Sequence, residues 1–191
     1  MTLKELKDCI YKDFRRYRVT GGTSIIKILL NQGFLFTTVF RINTWIYQLC
    51  KPLPIINKLV GLYVFVWLKI SQIVSGLSIQ VNTKIGKGLF ISHAGPIIIN
   101  PGVHIGENCN LAPMTVIGYG HYKGEYGTPT IGNRVFIGPG AKILGPITIG
   151  DNVAIGANAV ITKPVPDNAV VIEFNKIVSF KGSRHYVKVD L

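Results

Sequence analysis

The chain has 191 residues, 48% of them hydrophobic, which is enough for one substantial domain with a buried core. Lys and Arg (21) outnumber Asp and Glu (9), and the net charge of +12 predicts an anionic partner such as nucleic acid, phospholipid or a phosphorylated ligand. Cys9, Cys50 and Cys109 are too far apart for a zinc site and too few for a disulfide framework, which favours a reducing, cytoplasmic setting.

Residues 1–76 are predicted to form a helical region. Apolar residues recur there at three- and four-residue spacing, and the prolines of "KPLP" at 51–54 predict a break between two or three helices. The amino-terminal residues lack the apolar run of a secretory signal. Residues 59–74 are strongly apolar, but Lys69, Ser71 and Gln72 interrupt them, so we expect a buried or membrane-surface helix rather than a crossing one.

A six-residue aliphatic repeat replaces the helical pattern over residues 77–172. The positions predicted to point inward are Ile79, Ile85, Ile91, Ile97, Val103, Cys109, Thr115, Ile131, Ile137, Ile143, Ile149, Ile155 and Ile161. Neither a strand nor a helix has this period, whereas a solenoid with three short strands per triangular coil does. The sequence therefore predicts a mainly β fold, a parallel β-helix, with an excursion loop over 119–129 and a basic tail over 173–191.

Two long runs carry a family resemblance: "LSIQVNTKIGKGLFISHAGPIIINPGVHIGENCNLAPMTVIG" and "PTIGNRVFIGPGAKILGPITIGDNVAIGANAVITKPVPDN". They resemble the hexapeptide-repeat acyltransferases, and among these the serine acetyltransferase group, especially its exopolysaccharide branch typified by the colanic-acid biosynthesis acetyltransferase. The resemblance implies a left-handed β-helix and acetyl-CoA as co-substrate, with no metal. It also implies a homotrimer or a dimer of trimers.

His93, in "ISHAG", stands where this family carries its catalytic histidine. An alcohol is a poor nucleophile until its proton is removed, and an imidazole can accept that proton near neutral pH. The resemblance therefore implies direct attack of an acceptor hydroxyl on the thioester, with His93 as general base. The alternative is a corner histidine that only caps a turn.

Several family residues near this histidine are replaced. Ser78 and Ser92 stand where the family has aspartates, and we expect them to orient His93 or to lie on the acceptor side. Gly127 and Thr128 stand near the positions of an arginine and a histidine. Because arginine is the natural partner of a substrate carboxylate, its loss favours an uncharged acceptor, a sugar of a surface polysaccharide or its precursor. Serine O-acetylation for cysteine biosynthesis is the alternative, and a non-catalytic membrane-surface scaffold is a second one.

The remaining site predictions concern the coenzyme and the acceptor. The family's coenzyme-lining corners, between neighbouring subunits, correspond to Gly118, Gly138, Pro139, Ala141 and Ala157, and Lys142 and Lys163 are candidates for its phosphates. In the excursion, His121 and Tyr122 are expected on the acceptor side, although the loop could instead pack on the next subunit. His104 is expected to face outward and His185 to be solvated.

The helical region has no residue pattern of a catalytic site. Residues 1–75 contain eleven basic and three acidic residues, and no nucleic-acid-binding module is recognisable. We expect these helices to dock on the solenoid, to pair subunits, or to lie on the anionic inner face of the membrane.

Overall fold

The computed structural model describes residues 1–21, 24–93, 95–180 and 182. Its helices are α1 (Leu3–Gly21), α2 (Ile25–Leu29), α3 (Gln32–Cys50) and α4 (Pro54–Ser75). The predicted break lies between α3 and α4. Gly76 ends α4 in a left-handed conformation (φ +72°), which a residue with a side chain rarely adopts, and the first strand follows directly.

The solenoid consists of three parallel sheets that form the three sides of a prism. The first side contains β1 (Leu77–Ile79), β4 (Ile97–Ile99), β7 (Val116–Gly118), β12 (Lys142–Leu144) and β15 (Val160–Ile161). The second contains β2 (Lys84–Ile85), β5 (His104–Ile105), β10 (Thr130–Ile131) and β13 (Thr148–Ile149). The third contains β3 (Phe90–Ile91), β6 (Asn110–Leu111), β11 (Phe136–Ile137), β14 (Ala154–Ile155) and β16 (Val170–Ile172). The predicted parallel β-solenoid is confirmed, with about five coils.

Two further elements interrupt or end the coils. The excursion is an antiparallel hairpin of β8 (Gly120–Tyr122) and β9 (Glu125–Gly127), within the predicted loop. Strand β17 (Lys176–Ser179) pairs antiparallel with β16 and covers the end of the third side. An added antiparallel strand of this kind protects a solenoid end from pairing with another chain.

The interior consists of stacked aliphatic side chains, as predicted, but the predicted phase is wrong over 97–115. From the third coil onward, Ile137 pairs with Ile155, eighteen residues further along. In the first coil, by contrast, Ile91 pairs with Leu111, twenty residues further along. The ladder positions are therefore held by Ile99, Ile105, Leu111 and Ile117, and Ile97, Val103, Cys109 and Thr115 fill a second inward position two residues earlier. Because side chains alternate along a strand, residues two apart face the same way. The two-residue shift of phase therefore leaves both sets of side chains buried.

The extra residues are split between two places. Ile91 and Ile99 are eight residues apart instead of six, so two extra residues lie in the corner formed by residues 92–96. We call this corner the widened corner. The other eight lie between Ile117 and Ile131 and form the hairpin. The first insertion therefore coincides with the segment that contains His93.

The first coil has no preceding coil to pair with, and the helices take that place. On the third side, the Asp13 carboxylate accepts a hydrogen bond from Leu89 N (2.8 Å). Nearby, the Tyr17 hydroxyl accepts from Ile91 N (3.0 Å) and donates to Ile91 O (3.1 Å). These bonds satisfy backbone groups that would otherwise be an open sheet edge.

The other two sides of the first coil are capped in the same way. Arg41 of α3 donates to Ile85 O (2.5 Å) and to Gly86 O (2.6 Å) on the second side. Ser71 of α4 donates to Leu77 O (3.1 Å) on the first side. Of the three roles expected for the helical region, the structure shows docking on the solenoid.

Within the described residues, Pro54–Ser75 is the one helix that is long and apolar enough to cross a membrane, judged by length and composition. The expectation that interruptions at 69–72 make this segment too short was wrong, because the helix begins at Pro54 and runs for 22 residues. A core helix of a soluble protein can pass the same test, but only 11% of the apolar window in α4 is buried.

Candidate active site

His93 lies in the widened corner, on the edge between the third and first sides of the prism. The corner is held to the next coil by Ser92 N, which donates to Leu111 O (3.3 Å), and by Met114 N, which donates to Pro96 O (2.5 Å). The imidazole is exposed, and within the described part of the chain it makes no hydrogen bond. A ring in this state can accept a proton from a molecule that binds at the edge.

Ser78, predicted on the acceptor side, lies on the outward-facing position of β1. Its Oγ accepts a hydrogen bond from Nε2 of Gln72 (2.8 Å), in the last turn of α4. Because the hydroxyl accepts this bond, its proton is left available to a second partner. Sequence reasoning missed Gln72, since only the contact of α4 with β1 brings it to the site.

The site has no nearby carboxylate from its own stretch of chain. Residues 14–106 contain no Asp or Glu, and Asp13 is buried and bonded to Arg41 and Leu89. Ser92, the second replaced aspartate, is half-buried. The serines at 78 and 92 therefore leave the corner uncharged.

A column of flat, small residues continues along the same edge. Pro113, Pro139 and Ala157 occupy equivalent corners of the next three coils, as shown by bonds from Gly140 N to Pro113 O (2.9 Å) and from Asn158 N to Pro139 O (2.8 Å). With coils about 4.8 Å apart, Ala157 is roughly 14 Å from the widened corner. We call this column the flat edge. Pro113 was not among the predicted site residues, although its position after Ala112 in the repeat could have indicated it.

Three of the predicted coenzyme residues lie inside the coils rather than on the edge. Gly118, Gly138 and Ala141 are buried, and Ala141 is part of the hydrophobic core. A Cβ on Gly118 would lie 2.3 Å from the Asn100 side-chain oxygen. These residues are small because the coils stack closely, so a ligand could reach them only through their backbone atoms.

The other predicted coenzyme residues are exposed. Pro139 and Ala157 form part of the flat edge, and Lys142 and Lys163 carry their ammonium groups at the surface. The Lys142 ammonium donates to Gly140 O (3.2 Å), which places its charge beside the flat edge. The structure thus brings His93, Pro139, Ala157 and Lys142 to one edge of the prism.

The hairpin presents an aromatic surface. The rings of Tyr119 and Tyr126 stack at 5.4 Å with an interplanar angle of 12°, and the His121 ring lies 4.8 Å from that of Tyr126. Tyr122, by contrast, packs against the solenoid core. Of the two predicted acceptor residues in the excursion, only His121 therefore has an exposed side chain.

His104 faces outward, as predicted, and donates from Nδ1 to Gly102 O (2.9 Å). It lies beside a cleft of about 650 Å³ between α3 and the second side of the prism, away from the His93 edge. His185 lies outside the described residues. Among the residues that are described, no three His, Cys, Asp or Glu side chains form a group able to hold a metal ion.

Comparison with known proteins agrees with this architecture. The family model of the bacterial transferase hexapeptide (six repeats) matches residues 128–163. The serine acetyltransferase of Synechococcus elongatus is 33% identical over 164 residues, which cover 85% of this chain and 62% of that protein. The chain therefore spans less than two thirds of the length of this curated relative.

Solved structures show the same likeness. The serine acetyltransferase of Neisseria gonorrhoeae is 25% identical and superposes with a TM-score of 0.79 over 92% of this chain and 66% of that one. A serine acetyltransferase in complex with CoA is 26% identical, with a TM-score of 0.76 over 92% and 70% of the two chains. Together with the coil geometry, these matches confirm that the chain contains hexapeptide repeats and has the left-handed β-helix acyltransferase fold seen in the serine acetyltransferases.

Proposed function

We propose that this protein is an O-acetyltransferase that transfers the acetyl group of acetyl-CoA to an acceptor hydroxyl, with His93 as general base. The observation that carries the proposal is the imidazole of His93 at the start of the flat edge, which is exposed and has no hydrogen-bond partner among the described residues. The CoA complex of a relative supports the choice of donor. The three free cysteines are consistent with a cytoplasmic reaction.

The chemistry that His93 supplies is proton transfer. Its unprotonated ring nitrogen takes the proton of the acceptor hydroxyl while that oxygen attacks the thioester carbonyl carbon. A carbon–oxygen bond forms, the carbon–sulfur bond breaks, and the imidazolium returns the proton to the departing sulfur. No covalent acyl-enzyme is needed, because the attacking group belongs to the acceptor.

The comparisons favour serine as the acceptor, which was the alternative rather than the main expectation from the sequence. The relatives reported above are all serine acetyltransferases. Serine carries an ammonium and a carboxylate, and a site for it needs groups of both signs. The hairpin supplies one of each in exposed positions, Glu125 and Lys123, although the corner itself has neither.

A sugar is the second candidate acceptor, and the site chemistry supports it. The corner is uncharged at 78 and 92, and the hairpin exposes the faces of Tyr119, His121 and Tyr126. Aromatic faces pack well against the apolar faces of sugar rings. Polysaccharide O-acetylation therefore remains a proposal that rests on these residues.

We also propose that the active unit is a homotrimer. His93 and the flat edge lie on a ridge of one prism, so a single chain encloses the coenzyme on one side only. An adjoining copy would supply the opposite wall. Mass by light scattering tests the number of subunits.

The experiment compares His93→Ala with His104→Ala, which removes another exposed histidine from a different side of the prism. Release of CoA is followed with serine and, separately, with a panel of sugars and glycan fragments. Loss of a general base lowers kcat by about 10²- to 10⁴-fold, so His93→Ala should lose turnover and keep CoA binding, while His104→Ala keeps both. Equal activity of the two variants would refute the proposal, and the substrate that is acetylated decides between serine and sugar.

A further inference from the structure

The outward side of α4 is a large apolar surface that nothing in the described chain covers. We call it the α4 outer face, and it contains Ile55, Leu59, Leu62, Tyr63, Val66, Ile70 and Ile73. Each of these residues lies three or four positions from another member of the set, and Leu62 and Tyr63 lie side by side, so they form one stripe along the helix. The exposed fractions reach 76% at Ile55 and 85% at Ile73. Contiguous apolar surface of this kind marks a binding surface for a protein or a membrane.

The opposite side of α4 is fixed to the rest of the molecule. Val64 and Ser71 are buried there, and Ser71 and Gln72 bond to Leu77 and Ser78 of the first strand. If α4 crossed a bilayer, these contacts would have to enter hydrocarbon together with α3 and the first coil. The geometry therefore allows α4 to lie along a membrane surface but opposes a crossing orientation.

The charge around this helix has one sign. Residues 14–106 contain ten Lys and Arg and no Asp or Glu. Lys58 and Lys69 of α4 are exposed and lie eleven residues apart, about three helical turns, so both flank the same edge of the apolar stripe. Lysines in this position extend their ammonium groups towards headgroups while their stems cover apolar surface.

We propose that the α4 outer face binds the surface of an anionic phospholipid membrane. The apolar stripe enters the boundary between headgroups and acyl chains, and Lys58 and Lys69 contact the lipid phosphates. A second copy of the chain is a poorer occupant, because symmetric pairing of this face would bring the lysines together with no carboxylate from residues 14–106 to offset them. Lipid binding is independent of the proposed acetyl transfer.

The test is cosedimentation of the full chain with vesicles of phosphatidylcholine alone or mixed with phosphatidylglycerol. We expect binding to the mixed vesicles that weakens as salt is added. The variant Lys58→Gln/Lys69→Gln should bind them roughly 25-fold more weakly, since each lysine near an anionic surface contributes about fivefold. Leu59→Gln/Leu62→Gln/Ile73→Gln changes only exposed side chains, so it should fold normally and lose binding.

The matched control is Lys123→Gln/Lys176→Gln, which removes two exposed charges from the hairpin and the far end of the solenoid. It should bind like the unchanged protein. Equal weakening by both lysine pairs would mean that net charge alone drives binding and would overturn the proposal. Failure of the protein to bind either kind of vesicle would also overturn the proposal. If the leucine and isoleucine variant then forms a smaller oligomer in light scattering, a second copy of the chain covers the face.

Discussion

The buried ion pair between Asp13 and Arg41 should be the main attachment of the helices to the first coil. Arg41 Nε lies 3.0 Å from Asp13 Oδ2, and the two side chains are 4% and 1% exposed. The same carboxylate accepts from Leu89 N, and the guanidinium donates to Ile85 O and Gly86 O. One pair of side chains thus connects α1 and α3 to two sides of the prism.

Asp13→Ala leaves the guanidinium of Arg41 buried without its counter-charge and Leu89 N without an acceptor. Breaking a buried pair in this way costs about 3–5 kcal/mol. With a urea m-value of about 2 kcal/mol/M, the unfolding midpoint should fall by roughly 2 M. Circular dichroism at one fixed subunit concentration measures it, because association with other subunits would also shift the midpoint.

Two further variants make the reasoning refutable. Asp8→Ala breaks the exposed pair of Asp8 with Lys87, 44% and 35% exposed, and should leave the midpoint almost unchanged. Asp13→Ala/Arg41→Met removes both buried charges and should recover part of the stability that Asp13→Ala alone loses. If Asp13→Ala moves the midpoint no more than Asp8→Ala does, the pair does not hold the helices to the solenoid.

The coils themselves give two more predictions. A Cβ on Gly138 would lie 2.8 Å from Ala157 N, so Gly138→Ala should lower the free energy of unfolding by about 1–3 kcal/mol. A Cβ on Gly61 would meet no atom within 4 Å, so Gly61→Ala should raise that free energy by up to about 1 kcal/mol. Urea unfolding compares the two variants, and equal shifts would contradict the claim that the coils are crowded at Gly138. Burial raises the pKa of the Cys109 thiol to about 12, so iodoacetamide should label Cys109 only when the coils open. Mass spectrometry of the folded protein measures the labelling rates of Cys109 and of half-buried Cys50. Equal rates would show that the coils around Cys109 are not tightly packed.

The solenoid could be predicted because few structures have a six-residue period. The positions of the ladder residues in the second coil could not be predicted. Ile97 and Ile99 both face inward, and so do Cys109 and Leu111, so the aliphatic pattern continues through a two-residue insertion without a visible break. The pairing of Ile91 with Leu111 and that of Ile99 with Ile117 together reveal where the insertion lies. The widened corner was thus hidden because both inward-facing positions of these strands are apolar.

A local motif was enough to predict a catalytic histidine, which stays a prediction, whereas packing decides which other side chains lie near it. "ISHAG" was enough to indicate His93, which the structure places at an exposed corner. The hydrogen bond from Gln72 to Ser78 depends on how α4 packs against β1, and no local sequence signal predicts it. The direction of the Tyr122 side chain depends on the hairpin, which has no such signal either. Two of the side chains that cap the first coil, Tyr17 and Asp13, bond to residues 74 and 76 positions further along the chain.

The helical region therefore has two faces with different physical roles. Its inner face takes the place that a preceding coil would have beside β3. Asp13 and Tyr17 bond to the backbone of Leu89 and Ile91 and so hold the strand that leads into the widened corner. Burial raises the pKa of Tyr17 far above its ordinary value, so its hydroxyl stays protonated and keeps donating to Ile91 O. Because α4 runs directly into β1, the outer face lies at the same end of the prism as His93. A protein that docks through α4 would consequently hold its candidate site close to the surface it binds, and the far coils, with the end strand β17, would point away from it.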